Sequence, residues 1–216
     1  MKNDITRQQM KVIAFNGSPH EQGASYTGIL TITSELEKEG ISSKIIHVGD
    51  KNIPGCSACN SCHKTGHCKF DDIVNRCSEK LEKADGVILA APVYYGGIAG
   101  NFKCFCDRLF YSGSNLKRKA GAVLTTVRRT GGIDVFHQLN NYLTLAGVII
   151  VPSVYWNVLH GNNAKEAEQD AEGVFTLRTV GRNMAWLLKT LELGKKNIPP
   201  PKDEERVFTN FIRSEI

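Results

Sequence analysis

The chain has 216 residues, 41% hydrophobic and 23% charged, with a formal net charge of +5. That is enough for one domain with a substantial core and short for two, and the mix excludes a disordered or fibrous protein. The charge is dispersed, with small basic runs at Lys117 to Lys119 and Arg128 to Arg129, so no nucleic-acid partner is expected.

No apolar run approaches the roughly 18 residues of a membrane span, and no signal-peptide pattern opens the chain. A soluble cytoplasmic protein is expected. Seven cysteines, an odd number, argue against a disulfide framework and for metal or redox chemistry in a reducing compartment.

The first apolar run is KVIAF at 11–15, followed by the loop NGSPHEQGASYT and a helical pattern over 25–40, with Ile29, Ile32 and Leu36 on one stripe and Gly40 as its stop. A second run, SKIIHV at 43–48, leads to a cysteine-rich loop at 55–68. Asp71 or Asp72 then caps a helix whose stripe carries Ile73, Cys77 and Leu81. GVILA at 86–90 is a third strand, and AGNFKCFCDRLF a third helix. GAVLTTV at 121–127, a helix over 133–147, and a fifth strand GVIIVP at 147–152 follow. A long helix is expected from Ala164 to about Leu193, despite Gly173 and Gly181, and then a proline-containing tail over 194–216 that packs on a neighbour or stays mobile.

Short, continuous, Val- and Ile-rich strands alternating with helices predict an α/β fold: a doubly wound five-stranded parallel sheet, order 2-1-3-4-5, with helices on both faces. The whole chain, 1–216, reads as one domain. Its ligand site is expected beyond the carboxyl ends of the strands, where loops 16–25, 91–97 and 127–132 meet.

The first of these loops offers Gly17, Ser18, Gly23, Ser25 and Thr27 at a helix N-terminus, a cradle for a phosphate. It lacks both the GK[ST] of a P-loop and the GxGxxG of a dinucleotide fold. A monophosphate at this place in such a sheet points to FMN. In the second loop, Tyr94 and Tyr95 suit a flat ring and Gly96 and Gly97 expose backbone N–H groups to its polar edge; two core aromatics beside a turn is the plainer alternative. The third loop adds hydroxyls, Arg128, Arg129 and two glycines.

The segments FNGSPHEQGAS, GCSACNSCHKTGHCKFDD, ADGVILAAPVYYGGIAGNFKCFCDR and VLTTVRRTGG together resemble the NADPH-dependent FMN reductase superfamily of flavodoxin-like proteins, and within it the iron-sulfur flavoproteins, over roughly residues 11–152. The resemblance implies that Ser18, His20, Ser25 and Tyr26 hold the FMN phosphate and that Pro92, Val93, Tyr94, Tyr95, Gly96 and Gly97 surround the ring. It implies that Thr126, Arg128 and Gly131 lie at the pyrimidine edge. Family members commonly have Arg where this chain has His20 and Asn where it has Ala24, which predicts a weaker charge pairing with the phosphate.

The resemblance also assigns Cys56, Cys59, Cys62 and Cys68 to a [4Fe-4S] cluster. The C-x2-C-x2-C-x5-C spacing lets a curled loop present three thiolates, the fourth arriving after a turn at Gly66. Zinc held by four thiolates, or by three with His63 or His67, and free thiols with no metal are the alternatives. Cys77, Cys104 and Cys106 read as packing residues, and Asp107 and Arg108 as a local pair or cap. The resemblance places the helix that bears them at a homodimer or homotetramer interface.

The expected protein is an FMN-dependent oxidoreductase that passes electrons from NAD(P)H or ferredoxin to a small-molecule acceptor such as a quinone, flavin, nitroaromatic or oxygen species. No side chain stands out as a catalytic acid or base. A non-catalytic zinc- or thiol-based sensor on the same fold is the alternative.

Overall fold

The computed structural model describes residues 9–113, 115–205 and 207. Strands β1 (Lys11–Asn16), β2 (Ser42–His47), β3 (Gly86–Tyr94) and β5 (Ala120–Val127) form a parallel sheet. Among the described residues it is completed by three short strands, β4 (Gly97–Ile98), β6 (Ile149–Ile150) and β7 (Val158–His160). The order is β2-β1-β3-β5-β6, which is the expected 2-1-3-4-5 when the five sequence-predicted strands are counted.

Side chains alternate across the sheet as the pleat demands. Ile13, Phe15, Val87, Leu89 and Val123 face helices α3 (Ile73–Glu82), α4 (Gly100–Tyr111) and α5 (Gly132–Leu145). Val12, Ala14, Ile88, Ala90 and Leu124 face α1 (Ala24–Lys38) and α7 (Ala171–Asn197). Both faces are covered, which is why the strands read as continuous apolar runs.

The fifth strand differs from expectation. Gly147, at φ +69°, belongs to the turn closing α5, and only Ile149–Ile150 pair with β5. After Pro152 the chain leaves the sheet and returns as β7 beside the other half of β5, Thr125 to Val127. Asn157 spans the gap: its Nδ2 donates to the Val123 carbonyl at 2.9 Å and its own carbonyl accepts from Thr125 N–H at 3.0 Å. An interrupted edge thus keeps its hydrogen bonds satisfied.

The long C-terminal helix is also divided. Ala164–Ala167 form a short α6, and Asp170, whose carboxylate accepts from Gly173 N–H at 2.9 Å, caps a separate α7 that runs on to Asn197, past the expected end. Gly181 lets α7 approach α1, since a Cβ there would lie 2.6 Å from the Ile32 carbonyl oxygen. Of the tail, Asp203 meets Lys117 and Arg118 at 3.1 Å each, and its end lies outside the described residues.

Glu35, buried where α1 meets α7, pairs with Lys38 at 2.6 Å and Arg182 at 2.9 Å. These hydrogen bonds hold its pKa below the ordinary 4.5. A lowered folded-state pKa stabilises the fold above the unfolded value and is lost as pH falls through the folded one. Glu35→Gln is therefore expected to be less stable than wild type at neutral pH, with the difference shrinking in denaturation curves taken below pH 4.5; a constant gap would disprove it.

Candidate functional site

Two concavities carry the sequence-predicted residues. The first lies at the carboxyl ends of β1, β3 and β5. It has a volume of about 210 Å³ and is lined by Ser18, His20, Gly23, Ala24, Ser25, Pro92, Val93, Tyr94, Thr126, Val127, Arg128, Gly161 and Asn162. The three predicted loops therefore converge. Ser25 Oγ and Thr126 Oγ1 sit 2.7 Å apart, tying the first helix to the third loop.

The first loop is held rigidly. Ser18 N–H donates to Asn16 Oδ1 at 3.1 Å, His20 N–H to Ser18 Oγ at 3.1 Å, and Gly17 N–H to the Ala90 carbonyl at 2.8 Å. His47 Nε2 meets the Ser18 carbonyl at 2.8 Å. The N-cap of α1 is Gly23, which has no side chain to cap the helix. The first-turn amides of α1 thus lack intrahelical acceptors beside the Ser18 and Ser25 hydroxyls, a donor set that fits a phosphate. Gly17 has a different role from the expected one: its missing Cβ makes room for the Phe102 ring, which such an atom would meet at 2.2 Å.

The remaining predicted residues flank the concavity without lining it. Tyr26 is half-buried in the first turn of α1. Tyr95 and Gly96, at φ +50° and +73°, form a two-residue turn between β3 and β4, where Tyr94 pairs with Gly97. Tyr95 is fully exposed at its tip. Gly131, at φ +85°, ends the third loop against this turn, and Gln138 secures the turn through the Gly96 carbonyl and Ile98 N–H at 3.4 Å each.

Gly161 and Asn162 were not predicted, because β7, which delivers them, is only three residues long and carries no apolar run. Asn162, Asn163 and Lys165 also border an adjoining open cleft of about 690 Å³ together with His20 and Gly23. Lys165 supplies positive charge on the side where the chain has His20.

The second concavity brings Cys56, Cys59, Cys62 and Cys68 together with Lys69, Phe70, Arg108 and Tyr111. Ala58 and Asn60, at φ +51° and +56°, curl the loop, and the helical turn α2 (Ser61–Thr65) ends at Gly66, φ +75°, as the sequence predicted for the approach to Cys68. Left-handed backbone in a residue such as Ala58 costs about 1–2 kcal/mol, a strain that concentrates at functional sites. Among the described residues no three His, Cys, Asp or Glu side chains close on a single metal ion. The four cysteines border the hollow rather than meet at a point.

Helix α4 supports this loop. Tyr111 donates to Asn60 Oδ1 at 2.7 Å, and its carbonyl lies 3.8 Å from Cys62 Sγ. Arg108, one turn earlier and 1% exposed, is not the local partner of Asp107 that the sequence implied. Its Nη1 and Nη2 meet the Asp72 carboxylate at 2.6 and 2.9 Å, and Nε donates to Cys68 Sγ at 3.2 Å. Asp107 instead bonds Lys103 at 2.8 Å and accepts from the Tyr142 hydroxyl. No sequence pattern connects Arg108 to Asp72, which lie 36 positions apart.

The settings of the thiols differ. Hydrogen bonding from the Ser61 backbone lowers the pKa of Cys59, whereas burial raises that of Cys62. Burial pushes Cys77 up to about 11 and raises Cys106 well above the ordinary range, which makes both inert packing residues. For Arg108, burial opposes the charge, but the bonds to Asp72 and Cys68 prevail and its pKa is raised. Four soft sulfur ligands with backbone, guanidinium and ammonium donors beside them match the needs of an anionic iron-sulfur cluster.

Comparison with known proteins agrees with this arrangement. Residues 10–163 match the NADPH-dependent FMN reductase family. An iron-sulfur flavoprotein of Methanocaldococcus jannaschii is 30% identical over 192 residues, covering 85% of this chain and 100% of that protein. One of Methanosarcina thermophila is 30% identical over 200 residues, covering 87% and 98%. A solved archaeal flavodoxin superposes with a TM-score of 0.55 at 14% identity, over 84% of this chain and 99% of that one. The chain belongs to the NADPH-dependent FMN reductase family, in its iron-sulfur flavoprotein branch, and is a flavodoxin-like, flavin-dependent oxidoreductase.

Proposed function

We propose that this protein carries FMN in the first concavity and a [4Fe-4S] cluster on Cys56, Cys59, Cys62 and Cys68, and passes electrons from NAD(P)H or ferredoxin to a small acceptor such as a quinone, flavin, nitroaromatic or oxygen species. The observation that carries the reading is the gathering of all four cysteines around one hollow, supported by helix α4, on a chain whose strand ends carry a donor set suited to a phosphate. A flavin takes two electrons as hydride and releases them singly, and a cluster passes one at a time, so together they link two kinds of carrier.

The chain's own residues supply binding and orientation. Ser18, Ser25 and the α1 N-terminus would hold the phosphate, with Thr126 against Ser25 and with Pro92, Val93, Tyr94 and Arg128 around the ring. Tyr95, Gly96, Gly97 and Gly131 shape the turn above it, and Tyr26 backs the cradle. Association of copies of this chain into a dimer or tetramer belongs to the same proposal.

Anaerobic purification followed by a visible spectrum and iron, sulfide and zinc analysis tests it. Flavin bands with about four irons and four sulfides per chain are expected. Flavin without iron on reconstitution would leave an FMN reductase alone, and a colourless zinc protein would overturn the redox reading.

Lys165, which borders the adjoining cleft together with His20, would offset the His20 departure. Lys165→Ala is expected to weaken FMN binding about two- to fivefold at low salt, the range of an exposed ion pair, with the gap closing at high salt. A salt-independent affinity difference, or none, in a fluorescence titration would remove Lys165 from the phosphate site.

A further inference from the structure

We propose that the Arg108–Asp72 pair is a tuning device for the cysteine centre, in which Arg108 hydrogen-bonds the Cys68 thiolate and Asp72 sets how much positive charge that thiolate feels. The inference rests on the cluster reading above and adds to it a role for two residues that bind no metal.

All of the guanidinium's donor capacity is committed. Nη1 serves Asp72 Oδ2 and the Pro54 carbonyl, Nη2 serves Asp72 Oδ1 and the Phe70 carbonyl, and Nε serves Cys68 Sγ. An arginine has five N–H groups in a fixed fork, so the two-point grip on the carboxylate determines where Nε aims. The grip is anchored at both ends. Arg108 projects from the body of α4, and Asp72 is the N-cap of α3, with Oδ1 also accepting from Val74 N–H at 3.0 Å. The Phe70 ring lies 4.9 Å from the guanidinium carbon and closes its face. A bare structural salt bridge requires only the carboxylate; here the fork is turned so that its remaining N–H reaches a sulfur.

The electrostatic consequence has a sign. One-electron reduction of a cluster adds one negative charge without making or breaking a bond, so a donor at a ligand sulfur favours the reduced form and raises the potential. Asp72 opposes this by neutralising the guanidinium. Replacing either partner should therefore move the potential in opposite directions, whereas a role limited to holding the loop in place gives both replacements the same effect: loss of cluster.

The test is an anaerobic potentiometric titration of reconstituted full-length protein, following the cluster and the flavin separately. Arg108→Lys keeps a charge but loses the fork, and is expected to disfavour reduction about tenfold, or about 59 mV for one electron. Asp72→Asn keeps a good N-cap and one acceptor oxygen for the guanidinium while removing the neutralising charge, and is expected to favour reduction by a similar factor. The flavin potential should stay put in both, because among the described residues none lines both concavities. Iron and sulfide content is measured in each sample. Unshifted cluster potentials, or shifts of the same sign, in loaded protein overturn the tuning role and leave the cluster reading standing. Loss of iron from Arg108→Lys combined with an unmoved potential in Asp72→Asn also overturns it. A wild-type chain that takes up no iron overturns the cluster reading itself.

Discussion

Gly49→Ala is expected to lose FMN binding by at least tenfold and to destabilise the fold by about 1–3 kcal/mol, the usual range for overpacking. A Cβ at this position would stand 2.1 Å from the Ser18 carbonyl oxygen, 2.3 Å from its carbon and 2.5 Å from the Gly17 oxygen. These are backbone atoms, so no side-chain rotation relieves the clash, and the first loop must move. It is tied down on every side. Asn16 accepts from Val48 and Gly49 N–H at 3.0 and 3.2 Å, and Asn101 donates to the Gly49 carbonyl at 3.3 Å. His47 reaches the same Ser18 carbonyl at 2.8 Å. Moving Ser18 also breaks its bonds to Asn16 and His20, and with them the shape of the phosphate cradle. Gly100→Ala is the control, because its Cβ meets nothing within 4 Å and its helical setting favours alanine. FMN titration and chemical denaturation of both variants decide the matter; a Gly49→Ala protein that binds FMN like wild type would refute the account.

Arg108→Met is expected to cost about 3 kcal/mol of folding stability, or roughly 6–12 °C in melting temperature for a chain of this size. The substitution leaves the Asp72 carboxylate without its partner and strips donors from Pro54, Phe70 and Cys68. Removing one member of a buried pair commonly costs 3–5 kcal/mol; the lower end applies here because the Asp72 side chain is 24% exposed and water takes up part of its charge. The contrast is Lys103→Met, which breaks a Lys103–Asp107 pair whose side chains are 51% and 36% exposed and is expected to cost under about 1 kcal/mol. Thermal denaturation of the two variants without metal separates the fold contribution from any effect of a cluster. Equal losses in both would show that burial of Arg108 carries no special weight.

The sheet was legible because burial on both faces leaves a local mark. Runs such as KVIAF and GVILA are continuous, β-branched and bounded by turn residues, and each became a strand in the expected order. The stripe of Ile29, Ile32 and Leu36 and the Asp72 cap likewise depend on neighbours three or four positions away, so α1 and α3 followed from the chain itself. The edge of the sheet was less legible. β6 and β7 are two and three residues long, with Asn157 bonding β5 in the gap between them, and pairing of that kind depends on a partner strand rather than on any local pattern.

The same division runs through the site. The sequence alone determined the residue types and their spacing: four cysteines within thirteen positions, a Gly- and Ser-rich loop entering a helix, and the loops that meet at the strand ends. Tertiary structure alone decided that Lys165 and Asn162 return beside His20, that Gly17 and Gly49 are glycines to make room for Phe102 and Ser18, and that Arg108 reaches Asp72 and Cys68. The reason is physical: hydrogen bonds and close approaches between residues 30 to 150 positions apart are set by how helices and strands pack, and a local stretch of sequence carries no record of the partner it will meet.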